Sequence, residues 1–215
     1  MKTPVKRSQA HGRDPKSTRP VIKPATQHRG EVRLIGGQWK RSKLSVADHP
    51  GLRPTPDRVR ETLFNWLGQD LSGWRCIDVF AGTGALGFEA ASRGAQEVWM
   101  VEQDRGMVEQ LKAIQRKLEA DAVRIERGDG VAVLRQLAPA SMDAVFLDPP
   151  FDSTLSEAAL PAAVAALKPS GYVYLEAAAP WAAGRLAAHG LVLSRHMRAG
   201  AVHAHLLQRA ALPHA

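Results

Sequence analysis

Cys76-Ile77-Asp78-Val79-Phe80 runs directly into Ala81-Gly82-Thr83-Gly84-Ala85-Leu86-Gly87. A short apolar run of this kind reads as a buried strand, and the glycine turn after it opens a helix. Gly82, Gly84 and Gly87 spell G-x-G-x-x-G. Missing side chains at such a turn let the backbone approach a ligand at a helix N-terminus. Strand, glycine turn and helix in this order mark the first unit of a doubly wound α/β sheet. The spacing alone does not select the ligand, because nicotinamide and flavin enzymes use it too.

Outward from this unit the alternation continues. Strands are expected near 76–80, 97–102, 123–127, 143–148 and 171–176, with helices near 85–93, 104–120, 130–137 and 154–167. That rhythm specifies a parallel sheet whose core order runs 3-2-1-4-5. After a helix near 181–188, Leu191 to Met197 and Ala201 to Leu207 read as strands joined at Arg198-Ala199-Gly200, so the sheet ends with an antiparallel strand. Upstream, Val32 to Val46 reads as two short strands around Gly36-Gly37, a basic hairpin. Thr55 is placed to cap a helix whose first turn holds Pro56 and whose apolar face is Val59, Leu63, Phe64 and Leu67. The expected organisation is a basic tail over 1–30, a hairpin and helix extension over 31–70, and an α/β domain over 71–212.

The chain of 215 residues, 45% hydrophobic, is long enough for one α/β domain with an appendage. Its one cysteine, Cys76, lies inside a strand, so no internal disulfide forms and a reducing, cytoplasmic setting is expected. No apolar stretch approaches the ~18 residues of a membrane span. The net charge of +8 is uneven: residues 1–30 carry +7, residues 31–60 carry +4 and the remainder −3. Residues 1–30 hold almost no large apolar side chains and are expected to be disordered. A basic N-terminal portion points to a polyanionic partner.

The second chemical signature is Asp148-Pro149-Pro150-Phe151, directly after the apolar run Ala144-Val145-Phe146-Leu147. In the order 3-2-1-4-5 the strands near 76–80 and 143–148 are neighbours at the switch point, so the glycine turn and this loop face each other. Carboxylates at Asp78 and Asp129 suit a cationic sulfonium and an ammonium better than a pyrophosphate. Glu102, closing the second strand, is placed to accept from two ribose hydroxyls, and Asp129 from an adenine amino group. An exocyclic base nitrogen has its lone pair delocalised into the ring. Asp148 and the Pro149 carbonyl can each accept one amino hydrogen and aim that lone pair at a methyl donor. The two prolines stiffen the loop, and Phe151 offers a face for a base, a contact worth about 1–3 kcal/mol. The eight histidines are scattered, and His203 and His205 share a strand face without metal-site spacing, so no metal is expected.

These residues bring in a resemblance. Arg33-Leu34-Ile35-Gly36-Gly37-Gln38-Trp39, Arg53-Pro54-Thr55, Asp57 through Leu67, Phe80 through Gly87 and Asp148 through Phe151 resemble the bacterial small-subunit rRNA guanine-N2 methyltransferases of the RsmD family. The likeness covers most of residues 31–210. It implies a Rossmann-like class I methyltransferase with a seven-stranded sheet, an antiparallel last strand and a small N-terminal hairpin and helix extension. It implies an enzyme that uses S-adenosyl-L-methionine to methylate N2 of one guanine in 16S rRNA, on the small ribosomal subunit or an assembly intermediate. By that resemblance Asp78, Phe80, Gly82, Gly84, Gly87, Glu102, Gln103, Asp129 and Gly130 hold the cofactor. Asp148, Pro149, Pro150 and Phe151 handle the base, and Arg33, Lys40, Arg41, Lys43, Arg53, Arg58 and Arg60 approach RNA. A monomer is expected. The competing readings are an adenine-N6 or cytosine-N4 methyltransferase on DNA or RNA, a noncatalytic RNA-binding assembly factor, and a nicotinamide oxidoreductase.

Overall fold

The computed structural model describes residues 31–45, 55–150 and 154–210. The expectations for residues 1–30, Arg53 and Phe151 lie outside the described residues. Two three-residue strands, β1 (Glu31–Arg33) and β2 (Lys43–Ser45), pair antiparallel ahead of α1 (Asp57–Leu67). The core then alternates β3 (Arg75–Asp78), α2 (Ala85–Ser92), β4 (Glu97–Glu102), α3 (Arg105–Leu118), β5 (Val123–Arg127), α4 (Gly130–Gln136), β6 (Met142–Leu147), α5 (Leu155–Ala166) and β7 (Leu167–Ala177). It closes with α6 (Ala183–Ala188), β8 (Leu191–Ala199) and β9 (Val202–Arg209).

The seven core strands lie in the order β5-β4-β3-β6-β7-β9-β8. All are parallel as far as β7; β9 then runs antiparallel to β7, and β8 antiparallel to β9. The first five reproduce the expected 3-2-1-4-5, with β3 and β6 paired at the switch point. The last strand in sequence sits inside β8, so the terminal hairpin folds back between β7 and the sheet's edge.

Two apolar layers cover the sheet. One gathers Phe64 of α1, Phe88 of α2 and Leu111 of α3 with Phe146 and Tyr174; the other gathers Val131 and Leu134 of α4, Leu160 of α5 and Leu186 of α6 with Val145 and Val173. Phe146 meets Phe64 and Tyr174 edge to face, with centroids 6.2 Å and 6.4 Å away. Such pairs contribute about 0.5–1.5 kcal/mol each beyond area burial. They hold the end of β6 beneath α1.

The helix ends follow local chemistry. In α1 the buried positions Val59, Leu63, Phe64 and Leu67 recur at helical spacing, and the helix stops at Gly68, whose φ is +100°. Asp104 caps α3 by accepting from the Met107 amide at 2.8 Å. Thr55 does not cap α1, contrary to expectation; Pro56 takes the cap position, and no side chain bonds there.

The hairpin's glycines are not a tight turn. Residues 34–42 join β1 to β2, and Gly36-Gly37 instead dock the extension on the end of α2. The Gln38 amide donates to the Ser92 carbonyl at 2.7 Å, and the Ser92 hydroxyl donates to the Gly36 carbonyl at 2.6 Å. Beneath this contact Glu89 of α2 is fully buried and accepts from the Ile35 and Gly36 amides at 2.9 Å and 2.7 Å. It also accepts from Arg60 Nη1 at 3.3 Å and from Arg93 Nε and Nη2 at 3.1 Å and 2.8 Å.

Candidate active site

β3 delivers Asp78 to the carboxyl edge of the sheet, where the chain turns through the glycines into α2. Gly84 takes the N-cap position of α2 at φ +79° and ψ 9°, a left-handed conformation that glycine adopts without strain. A Cβ there would also lie 2.6 Å from Leu111 Cδ2 and 2.7 Å from Met100 Cε. Gly87 packs in the same way on Met100, and a Cβ on Gly130 would collide with the Val79 carbonyl. Three of the four expected cofactor glycines therefore answer first to the protein's own packing. The fourth, Gly82, donates its amide to Glu102 Oε2 at 2.9 Å.

Glu102 accepts from the Asp104 amide through its other oxygen, also at 2.9 Å. Its carboxylate thus pins the glycine turn to the start of α3, and each oxygen keeps one further lone pair for a ligand hydroxyl. Phe80 is half-buried beside the turn, and Gln103 is exposed just beyond Glu102. Asp129 caps α4 by accepting from the Ala132 amide at 2.8 Å through Oδ1. Only its second oxygen remains for a ligand.

Asp78 is buried. Gly87 donates to its Oδ2 at 3.1 Å, while Oδ1 has no hydrogen-bond partner of ordinary geometry. An orphaned buried carboxylate oxygen is costly unless a cation or donor meets it. Burial pushes its pKa up to about 7, against the pull of the Gly87 amide, and the charge of Glu102 adds to the rise. Asp78 thus binds a proton in the folded state that the unfolded chain releases near 3.8. Its contribution to stability is fully present below that value and is lost as pH rises towards 7. Asp78→Asn is expected to stabilise the free protein, by up to about 4 kcal/mol at pH 7 and above. Guanidinium unfolding at pH 4 and pH 8 checks this: the gain should appear only at the higher pH.

β6 brings Asp148 to the same edge, on the same face. The β3–β6 ladder sets Asp78 opposite Phe146, and the β6–β7 ladder sets Phe146 opposite Tyr174 and Leu147 opposite Leu175. Asp148 and Glu176 therefore follow one step on, side by side. The Thr55 hydroxyl donates to Asp148 Oδ2 at 3.1 Å, and the Tyr174 hydroxyl donates to Glu176 Oε1 at 2.7 Å. Burial raises the Asp148 carboxyl well above the usual range, and the charges of Glu176 and Asp78 raise it further, with Thr55 opposing. Burial raises Glu176 as well. No ion pair among the described residues reaches Asp78, Asp148 or Glu176. Among the described residues the pocket is acidic and holds no paired cation, which suits a positively charged sulfur and ammonium and opposes a pyrophosphate. Pro149 is buried and Pro150 exposed at the rim.

The basic positions divide. Arg33, Lys40, Arg41, Lys43 and Arg58 are exposed, Lys43 beside Glu31 at 2.8 Å. Arg60 is not available to RNA, contrary to expectation. It is completely buried, donating to the Arg33 carbonyl at 2.8 Å, to Asp57 at 2.6 Å and to the Thr55 carbonyl at 3.3 Å as well as to Glu89. Among the described residues no cluster of three or more His, Cys, Asp or Glu could hold a metal ion. His205 is buried between the Trp181 amide and the Leu175 carbonyl, and burial pushes its pKa down to about 4.

Three functional neighbours escaped the sequence reading: Thr55, Glu176 and Glu89. A carboxylate closing the apolar run Val173-Tyr174-Leu175-Glu176 was the available signal for one. A lone glutamate in the apolar stretch Phe88-Glu89-Ala90-Ala91 was the signal for another.

The model of the family described as Conserved hypothetical protein 95 matches residues 32–208. Ribosomal RNA small subunit methyltransferase D of Escherichia coli (strain K12) is 46% identical over 135 residues, spanning 63% of this chain and 68% of that protein. The protein of the same name from Haemophilus influenzae is 42% identical over 153 residues, spanning 69% and 79%. Among solved structures, the putative methyltransferase yhhF from Escherichia coli superposes with a TM-score of 0.72 at 38% identity, covering 85% of this chain and 100% of that one. The putative methylase HI0767 from Haemophilus influenzae gives 0.70 at 34% identity, with the same coverage.

Proposed function

The chain belongs to the RsmD family of S-adenosylmethionine-dependent rRNA methyltransferases, and from that premise we propose that it methylates the N2 amino group of one guanine in 16S rRNA. The observation that carries this reading is that Asp148 and Asp78 reach the same sheet edge at the β3–β6 switch point, where no cation among the described residues pairs with either.

S-adenosylmethionine, when bound, supplies a methyl group on a positively charged sulfur. Asp78, the Gly82–Gly87 turn with Phe80, Glu102 with Gln103, and Asp129 with Gly130 would hold it. Their charge is right: Asp78 meets a cation with an oxygen that lacks a hydrogen-bond partner of ordinary geometry, and Glu102 and Asp129 each retain acceptor capacity. Asp148 accepts one hydrogen of the base amino group, and the Pro149 carbonyl accepts the other. With both hydrogens fixed, the nitrogen's lone pair points out of the ring plane towards the donor pocket. Phe151 stacks on the base. The exposed Arg33, Lys40, Arg41, Lys43 and Arg58, with Arg53, supply phosphate contacts. The substrate is the small subunit or its assembly intermediate in the cytoplasm, and the enzyme works as a monomer.

Nucleoside mass analysis of rRNA from a strain lacking the protein is expected to show one N2-methylguanosine fewer per small subunit, restored by the purified enzyme with S-adenosylmethionine. Loss of N6-methyladenosine or N4-methylcytosine instead would assign the competing base.

A further inference from the structure

The acidic pocket contains a pair that this reaction leaves unexplained. Asp148 closes β6 and Glu176 lies beside it near the end of β7, both on the face covered by α1. Glu176 is 2% exposed. Thr55, which reaches the pair from the N-terminal extension, donates its one hydroxyl hydrogen to Asp148 at 3.1 Å. Arg60 fixes Thr55 from behind through its carbonyl, but its own guanidinium is engaged with Glu89 and Asp57. The groups facing the pair are Asp78 from β3, Tyr174 from β7 and Thr55. From β9 the residue opposite Glu176 is Ala204, while His203 and His205 stand opposite Ala177 and Leu175 and so project to the other face. Among the described residues no cation compensates these adjoining carboxylates, one buried and one half-buried, and in such a setting the ionised pair is strongly disfavoured.

We propose that Glu176 is a positioning residue for Asp148: the two adjoining carboxyls hold one proton between them in the free protein, and this dyad, with the Thr55 hydroxyl on Asp148, sets the pH at which Asp148 becomes an acceptor for the base amino group. The proposal rests on the reading of Asp148 as that acceptor. In the transfer the amino nitrogen's lone pair forms the new N–C bond, the C–S electrons return to sulfur, and one N–H proton passes to the dyad. Glu176 never touches the base; it acts on Asp148 through charge. An ionised Glu176 makes Asp148 harder to deprotonate, while the Thr55 hydroxyl makes it easier.

Those opposite signs give the test. Single-turnover methylation of small subunits from a strain lacking the enzyme is followed against pH for the wild type, Glu176→Gln and Thr55→Val. Glu176→Gln is expected to move the acid limb down by about one to three pH units, and Thr55→Val to move it up. Limbs that superpose, with only the heights changed, would overturn the proposal, since a merely structural role alters rate without displacing the titration. An infrared titration of the free full-length protein reads the same proton without RNA. In an Asp78→Asn background, which removes the other carboxyl that titrates near 7, one protonated carboxyl at neutral pH should be present and should disappear when either Glu176→Gln or Asp148→Asn is added. A band unaffected by either substitution would also overturn the dyad. If the shared proton is seen but no wild-type preparation methylates guanine, the dyad stands and the assigned reaction falls.

Discussion

Asp148→Ala is expected to slow methyl transfer by at least about 10²–10³-fold while changing affinity for S-adenosylhomocysteine by less than about tenfold. The split follows from geometry. Asp148 receives its hydrogen bond from Thr55 and lies one strand away from Asp78, and the hydrogen bonds of Gly82, Glu102 and Asp129, assigned to the donor, run to other partners. An acceptor needed only while the amino nitrogen becomes tetrahedral contributes to the transition state, so its loss lowers the rate and leaves ground-state donor binding intact. Stopped-flow transfer and calorimetry on the same preparations measure both quantities. A variant that transfers methyl at the wild-type rate would remove Asp148 from the chemistry. One that loses donor affinity in proportion to rate would place it in the donor pocket instead.

Glu89→Ala should produce the largest loss of stability of any single change in the extension, about 3–5 kcal/mol. Glu89 accepts five hydrogen bonds, from two backbone amides of the β1–β2 connection and from two guanidinium groups. Alanine would strand Arg60, fully buried, and Arg93, 3% exposed at its side chain, without a common anion. Arg93 also lies over the Phe64 ring at 4.8 Å, so the strain would reach the packing above β6. Against a total of about 5–15 kcal/mol for a domain, such a change removes a large share. Denaturant unfolding at constant slope reads it directly. Glu89→Gln, which keeps one acceptor oxygen for the backbone amides but turns the other into an NH2 donor and removes the charge, should fall between; a midpoint unchanged in Glu89→Ala would show that the extension is docked by its apolar residues alone.

The sheet was legible because its signals are local. The apolar runs at 76–80 and 144–147 and the glycine turn each speak through neighbours a few residues away. The terminal hairpin was readable from Gly200, whose φ is +65°. What the sequence withheld depends on partners far along the chain. Arg60 reads as one more cation in a basic stretch until folding sets it against Glu89, twenty-nine positions on. Thr55 occupies a capping position in sequence, yet Asp148, ninety-three residues later, captures its hydroxyl. Glu176 ends a strand as any solvent-facing glutamate might. Only the ladder to β6 and the Tyr174 hydroxyl make it a buried neighbour of Asp148. The glycines carried a double meaning that spacing could not separate, since Gly84, Gly87 and Gly130 serve packing whether or not a ligand is present.

The inverted placement of β9 inside β8 has a consequence for how the chain is made. During synthesis β7 emerges with its outer edge bare, and the next strand to appear, β8, is not the one that will pair with it. Until Val202–Arg209 arrives to fill the gap, a row of unpaired amides and carbonyls flanks an apolar ribbon. That is the kind of edge that recruits foreign strands. The nascent polypeptide is therefore open to misassociation between the appearance of β7 and that of β9, and holdase protection in that interval should raise its yield.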